Sequence, residues 1–267
     1  MLTLLSLVAI VLYLFAAVRQ WQRLGSNGSE STGLRGQILA SGTLAWVLQI
    51  SVTAQMLVQH DTLNLSIFPT GSLIASIVVL ILLLSSLRQK LDNLFIGVFP
   101  MAALTLLATL ISPDSAGAKA YSLGVIAHIL LSITAYSVLT LAAFQAILLS
   151  RQERALKQHH TRGLVNSLPP LQVMERLLFE MIFAGFLLLT AALITGALFT
   201  EDLFAQHLAH KTLLSIIAWV VFATLLGGRM LLGWRSRTAL RWTLAGFILL
   251  MLAFFGSKAV LELILGS

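Results

Sequence analysis

"SLIASIVVLILLLSSL", residues 72–87, runs its whole length without a charged side chain. With its flank from residue 69 it is close to the roughly 20 residues a helix needs to cross the hydrocarbon of a bilayer. Apolar runs of similar length recur near 2–18, 37–57, 69–87, 93–111, 122–149, 174–199, 211–232 and 242–265. The whole chain is 58% hydrophobic and only 10% charged, with a mean hydropathy of +0.94, too little polar surface to clothe a water-soluble domain of 267 residues. Lipid offers the backbone no hydrogen bonds, so segments of this kind cross it as helices. The expected fold is an all-α integral membrane protein. It is a bundle of about eight transmembrane helices forming one polytopic domain over residues 1–267.

The first run, "MLTLLSLVAIVLYLFAAVRQWQRLG", carries Arg19 and Arg23 after its apolar stretch and no basic residue before it. A cleaved signal has the opposite order, so residues 2–18 read as a retained span. The other basic residues follow a pattern. Arg19, Arg23 and Arg35, then Arg88 and Lys90, then Arg151, Arg154, Lys157, Arg162 and Arg176, then Arg229, Arg235, Arg237 and Arg241 all fall on one side of the eight-span topology, leaving Lys119, Lys211 and Lys258 on the other. Positive charge marks the cytoplasmic side. Both termini are therefore expected on the periplasmic side of a bacterial inner membrane. This distribution accounts for the net charge of +7 without nucleic acid, for which no recognition module is present.

Other chemistries are limited by what the chain contains. With no cysteine, it can form neither disulfides nor thiolate-ligated clusters. No span has an acidic residue near its centre, which argues against an ion or proton path and leaves a small-solute transporter as the least favoured reading. Histidine and carboxylate at zinc-hydrolase spacing are absent, as are glycine-rich phosphate loops. The fourth run, "NLFIGVFPMAALTLLATLI" (93–111), holds Pro100 in its interior and is expected to kink. In "RQERALKQHHTRGLVNSLPPLQ" (151–172), His159 and His160 are adjacent, about 100° apart on a helix, and read as solvated loop residues. Arg176 and Glu180, at i and i+4, read as a local ion pair.

One ionisable group stands apart. In "GVIAHILLSITAYS" (124–137), His128 lies on the order of 10 Å inside the fifth span. Gly124, His128, Ser132 and Ala135 share a face with Tyr136 alongside, and small residues at this spacing mark a helix–helix contact. His128 is thus expected to face protein. "LAHKTLLSIIAWVVF" (208–222) places His210 and Lys211 at the mouth of the seventh span on the same outer side, with His207 one turn earlier and Trp219 further in. His60 is external too. Imidazole ligates haem iron, and porphyrin fits between helices; a buried histidine that merely hydrogen-bonds a neighbour is the competing reading.

Two longer stretches carry a resemblance. "LPPLQVMERLLFEMIFAGFLLLTAALITGALF" (168–199) and "HILLSITAYSVLTLAAF" (128–144) resemble the cytochrome c assembly membrane proteins of the CcsA/CcmC-like haem-handling superfamily, and specifically its YpjD/HemX-type subgroup of short, eight-span members. The resemblance runs from about residue 60 to 265. "HKTLLSIIAWVVFATLLGGR" and "LAGFILLMLAFFGSKAVLELIL" look like that subgroup's last two helices. It implies that His128 is a haem-iron ligand on a helix continuing through Ser132 and Tyr136. Two departures are plain. "GALFTEDLFAQHLAHK" (196–211) stands where the superfamily has a tryptophan-rich signature, and "LLGGRMLLGW" (225–234) has Gly227 and Gly228 where a second histidine follows in the family.

The expected function is that of a non-enzymatic inner-membrane haem-binding protein involved in haem handling or cytochrome c biogenesis. His128 is the first candidate axial ligand and His210 the second. Phe199, Phe204, Lys211 and Trp219 are candidate pocket residues, and lipid, haem and cytochrome c biogenesis proteins are the expected partners. The alternative is a non-catalytic regulator or partner subunit of HemX type acting on haem-synthesis proteins, with residues 150–173 as its contact surface.

Overall fold

The computed structural model describes residues 1–25, 31–59, 62–88, 91–111, 121–158, 168–199 and 206–256. Eight helices among them are long and apolar enough to cross a membrane. They are α1 (Leu2–Gly25), α2 (Ser31–Leu57), α3 (Ile67–Arg88), α4 (Phe95–Ile111), α5 (Leu123–Lys157), α6 (Leu171–Phe199), α7 (Gln206–Leu232) and α8 (Ser236–Met251). The backbone of α8 continues as a π-helical turn over Leu252–Gly256, and a 3₁₀ turn at Asp92–Leu94 leads into α4.

The helices follow the apolar runs, with three additions. α4 continues through Pro100 without a break in its helical assignment. α5 extends past the apolar stretch to Lys157, because "RQERALK" is made largely of strong helix formers that have no reason to stop at the lipid boundary. Between α2 and α3 the chain forms a two-residue antiparallel ladder, Val58–Gln59 with Thr62–Leu63; it is too short to leave a periodic signal. His60 lies outside the described residues, as do Ser115, His159, His160 and Phe204.

The chain divides into two compact units. In the first (Met1–Ala118 and Arg154–Pro170), α1 packs on α2 and α4, α2 on α3, and α3 on α4, closing a four-helix ring. Its centre is polar as well as apolar. Tyr13 donates to Oε1 of Gln49 at 2.7 Å, the Gln49 amide reaches the carbonyl oxygen of Ser72 at 3.2 Å, and the Ser72 and Thr53 hydroxyls lie 2.8 Å apart. All four residues are buried. Phe99 stacks on Phe95, packs against Tyr13 and fills the space over Gly42. At one end, Oδ2 of Asp92 accepts from Arg23 at 2.9 Å and from Arg35 at 3.0 Å, while Arg35 also donates to the carbonyl of Ser86. One carboxylate thus ties α1, α2 and the start of α4, and Arg35 adds α3.

In the second unit (Lys119–Glu153 and Leu171–Ser267), α6 packs on α7 and α7 on α8. Phe222 of α7 seats over Gly246 of α8. Span hydroxyls mostly bond to carbonyls of their own helix, as Ser137 does to Ile133 and Thr140 to Tyr136. They therefore need no partner from another element.

Candidate functional site on the fifth and sixth helices

Helices α5 and α6 meet antiparallel along a stripe that both sequences prepare. On α6 the buried positions Met174, Leu178, Ile182, Gly185, Leu189, Ala192 and Gly196 recur every three or four residues, the spacing of one helical face. Leu139 of α5 rests on Gly185, and the Gln145 amide donates to the carbonyl of Met174 at 3.1 Å. Toward the other end of the stripe, the ring of Phe199 covers Gly124.

His128 occupies the same stripe, one turn after Gly124. Its Nδ1 lies 2.7 Å from the carbonyl oxygen of Ala192. A carbonyl only accepts, so Nδ1 carries the proton of this bond, and in the neutral ring Nε2 holds the lone pair. Nε2 has no hydrogen-bond partner among the described residues. The approach depends on Gly196: a Cβ there would stand 2.9 Å from Cε1 and 3.1 Å from Nδ1 of the imidazole. Thr195 donates to Ala191 at 2.9 Å and shares the Ala192 carbonyl at 3.0 Å. The site lies where cover thins. α5 is largely buried from Ile133 to Ser150 but only half-buried or exposed around His128, and Phe199 at the end of α6 is about half exposed.

The other residues singled out in the sequence are distributed as follows. Phe199 shares the His128 end of the α5–α6 stripe. Ser132 is half-buried one turn further along α5. Tyr136 is buried against Phe247, Phe254 and Phe255, with ring centroids 5.9, 6.2 and 6.0 Å away, and its hydroxyl has no hydrogen-bond partner among the described residues. Trp219 stacks on Phe186 and donates to the Thr190 hydroxyl at 2.9 Å. Thr190 and Ala192 differ by two positions, about 200° around α6, so Trp219 and His128 meet nearly opposite sides of that helix. Lys211 is half-buried. His207 and His210 lie on α7, but their side chains are outside the described residues.

Comparison with known proteins places this chain in a family. The family model for the cytochrome c assembly protein matches residues 38–265. The chain belongs to that family. It is 32% identical over 238 residues to the inner membrane protein YpjD of Escherichia coli K12, covering 88% of this chain and 90% of the relative. It is 30% identical over 271 residues to an uncharacterized 28.8 kDa protein in a nifR3-like 5′ region of Azospirillum brasilense, covering 98% and 97%. No solved structure matches it. As a cytochrome c assembly family protein with eight candidate spans, it is a multi-pass inner-membrane protein.

Two members of the site left no signal as ligands or orienting groups, Gly196 and the carbonyl of Ala192. A backbone acceptor has no side-chain signature. The detectable clue was the spacing that sets Ala192 and Gly196 four apart on the buried face of α6.

Proposed function

We propose that this cytochrome c assembly family protein binds haem at the His128 end of the α5–α6 stripe, with Nε2 of His128 as the iron ligand. The observation that carries the reading is the bond from Nδ1 to the Ala192 carbonyl. Histidines that hold metals commonly donate their other ring nitrogen to a fixed acceptor, which sets the tautomer and the ring orientation. The surroundings suit an amphipathic macrocycle: an imidazole with an uncommitted Nε2, a half-exposed aromatic ring at Phe199, and two glycines that keep the helix surfaces low. Bound haem would supply the iron, and with it the capacity to be carried or to change oxidation state. The chain's own part is binding and orientation. α6 fixes the imidazole before any ligand arrives, and His210 is the proposed second ligand. The positive-inside orientation would place this end at the periplasmic face, where cytochrome c is assembled.

The test is a visible absorption spectrum of purified protein, wild type beside His128→Ala and His210→Ala, before and after addition of haem. The expected result is a Soret band in the wild type that disappears with His128→Ala and shifts with His210→Ala. Three colourless proteins that take up no haem would overturn the reading. The regulatory role would then take its place, with the cytoplasmic extension of α5 and residues up to 173 as its contact surface.

A further inference from the structure

Gln49 and Gln20 both lie buried in the four-helix ring of the first unit, and the ring treats them differently. Gln49 is bonded at both ends of its amide: Oε1 accepts from Tyr13, and Nε2 donates to the carbonyl of Ser72. Gln20 of α1 has no exposed surface, and neither its Oε1 nor its Nε2 has a hydrogen-bond partner among the described residues. Folded chains seldom bury an amide in this way, because the hydrogen bonds it gave up to water must be replaced. Oδ1 of Asp92 is buried and unpartnered as well, while Oδ2 of the same carboxylate takes Arg23 and Arg35.

The register of α1 on α4 brings these groups to one level. Tyr13 packs on Phe99 with ring centroids 5.4 Å apart, and Arg23 meets Asp92. Positions rise along α1 as they fall toward the start of α4, so the two helices are antiparallel. From the Tyr13–Phe99 contact, Gln20 is seven residues onward and Asp92 seven residues back. Each step covers about 10 Å of helix toward the same end of the ring. The arginine agrees. Helical side chains lean toward the N-terminus, so the Arg23 guanidinium lies over the turn that holds Gln20, and there it meets the carboxylate.

Charge and cover define the occupant. Two guanidinium groups already surround Asp92, which disfavours a cation, and the unpartnered carboxylate oxygen disfavours an anion. Gln20 has no exposed surface and Asp92 only 14%, which restricts the occupant to a small neutral molecule entering from the Asp92 side. A buried water needs two to four polar partners, and Oδ1, Oε1 and Nε2 supply three. We propose that the Asp92 end of the ring is a water-binding site, in which water accepts from Nε2 of Gln20 and donates to Oδ1 of Asp92. Oε1 of Gln20 takes a proton from the same water cluster. α1 is thereby fastened to the start of α4 twice, by the ion pair of Arg23 and by bound water. The site lies in the first unit and is independent of haem and of His128.

The test uses the full chain, purified in detergent and labelled with ¹⁵N-glutamine, wild type beside Gln20→Leu. The side-chain amide signal missing from the variant belongs to Gln20. In the wild type it is expected to show a cross-peak to water with the sign of dipolar contact, opposite to that of chemical exchange. Gln20→Leu is expected to lower the melting temperature by a few degrees, because leucine strands Oδ1 of Asp92. A raised melting temperature would mean that the buried amide was dry, and would overturn the site. A lowered one without the cross-peak would mean that the amide bonds protein directly, and would overturn it too. Should the variant not survive purification, hydroxyl-radical footprinting of the wild type by X-ray pulses decides. Phe95 and Phe99 are equally buried, but only Phe95 is within one turn of Asp92. Faster oxidation of Phe95 is the expected result, and equal rates reject the site.

Discussion

The imidazole of His128 and the backbone of Ala192 are joined by a 2.7 Å hydrogen bond between two helices, made possible by the missing side chain of Gly196. That bond decides which ring nitrogen is left to act. It also makes a glycine 68 positions away in the chain part of the histidine's chemistry.

Replacing Gly196 with valine is expected to push the ring off α6 while leaving the rest of the stripe in place. In apo protein labelled with ¹⁵N-histidine, the wild type should show His128 with Nδ1 protonated and Nε2 bare. The variant should show a mixture of tautomers. Haem affinity should fall about tenfold or more, the usual cost of losing the group that orients a metal-bound histidine. An unchanged histidine spectrum would mean that Gly196 does not seat the ring.

Two tyrosines offer a paired test. Tyr13 donates to Gln49, and Tyr13→Phe strands the buried Oε1 of that residue. The expected loss is about 1–3 kcal/mol of stability. The Tyr136 hydroxyl is buried with no partner among the described residues. Tyr136→Phe is therefore expected to be neutral or stabilising, by up to about 1 kcal/mol. Unfolding in detergent by denaturant reads both, and equal losses for the two variants would show that the Tyr13 network adds nothing.

Asp92→Asn should loosen the first unit. The carboxylate is 14% exposed and Arg23 is 20% exposed, so removing the charge weakens an ion pair that is largely shielded from water. The expected cost is about 2–3 kcal/mol. The share lost through Arg35 is the smaller one, because that side chain is 40% exposed and screened by water. A variant with wild-type stability would remove Asp92 from the account of how the four helices are fastened.

Orientation has its own test. The chain has no cysteine, so a single cysteine in place of Ser115 can be labelled without background. Membrane-impermeant maleimide is expected to modify it in intact spheroplasts. Labelling only after permeabilisation would invert the assigned topology.

The eight spans were legible because lipid enforces one rule on every residue: backbone polar groups must be satisfied locally, so apolar length alone marks a helix. The small-residue spacing Gly124–His128–Ser132 likewise indicated which side of α5 meets protein, and His128 does lie against α6. The antiparallel register of α5 on α6 was not legible, since each helix specifies its own stripe but not where the other begins. The Tyr13–Gln49–Ser72 network escaped because attention to intramembrane charge passes over neutral polar groups. Its trace was present: Ser6, Tyr13 and Gln20 recur every seven residues on α1, and all three have no exposed surface. The fastening at Asp92 joins residues from four separate segments, which no local pattern records.

The length of α5 carries a last consequence. Its 35 residues make a rod of about 52 Å, against about 30 Å of hydrocarbon. The difference is made up by the end from Arg151 to Lys157, about 10 Å long, in which Arg151, Arg154, Leu156 and Lys157 are exposed and Gln152 is buried. The exposed guanidinium groups of Arg151 and Arg154 are thereby carried past the apolar length of α5 on a helix and not on a loop.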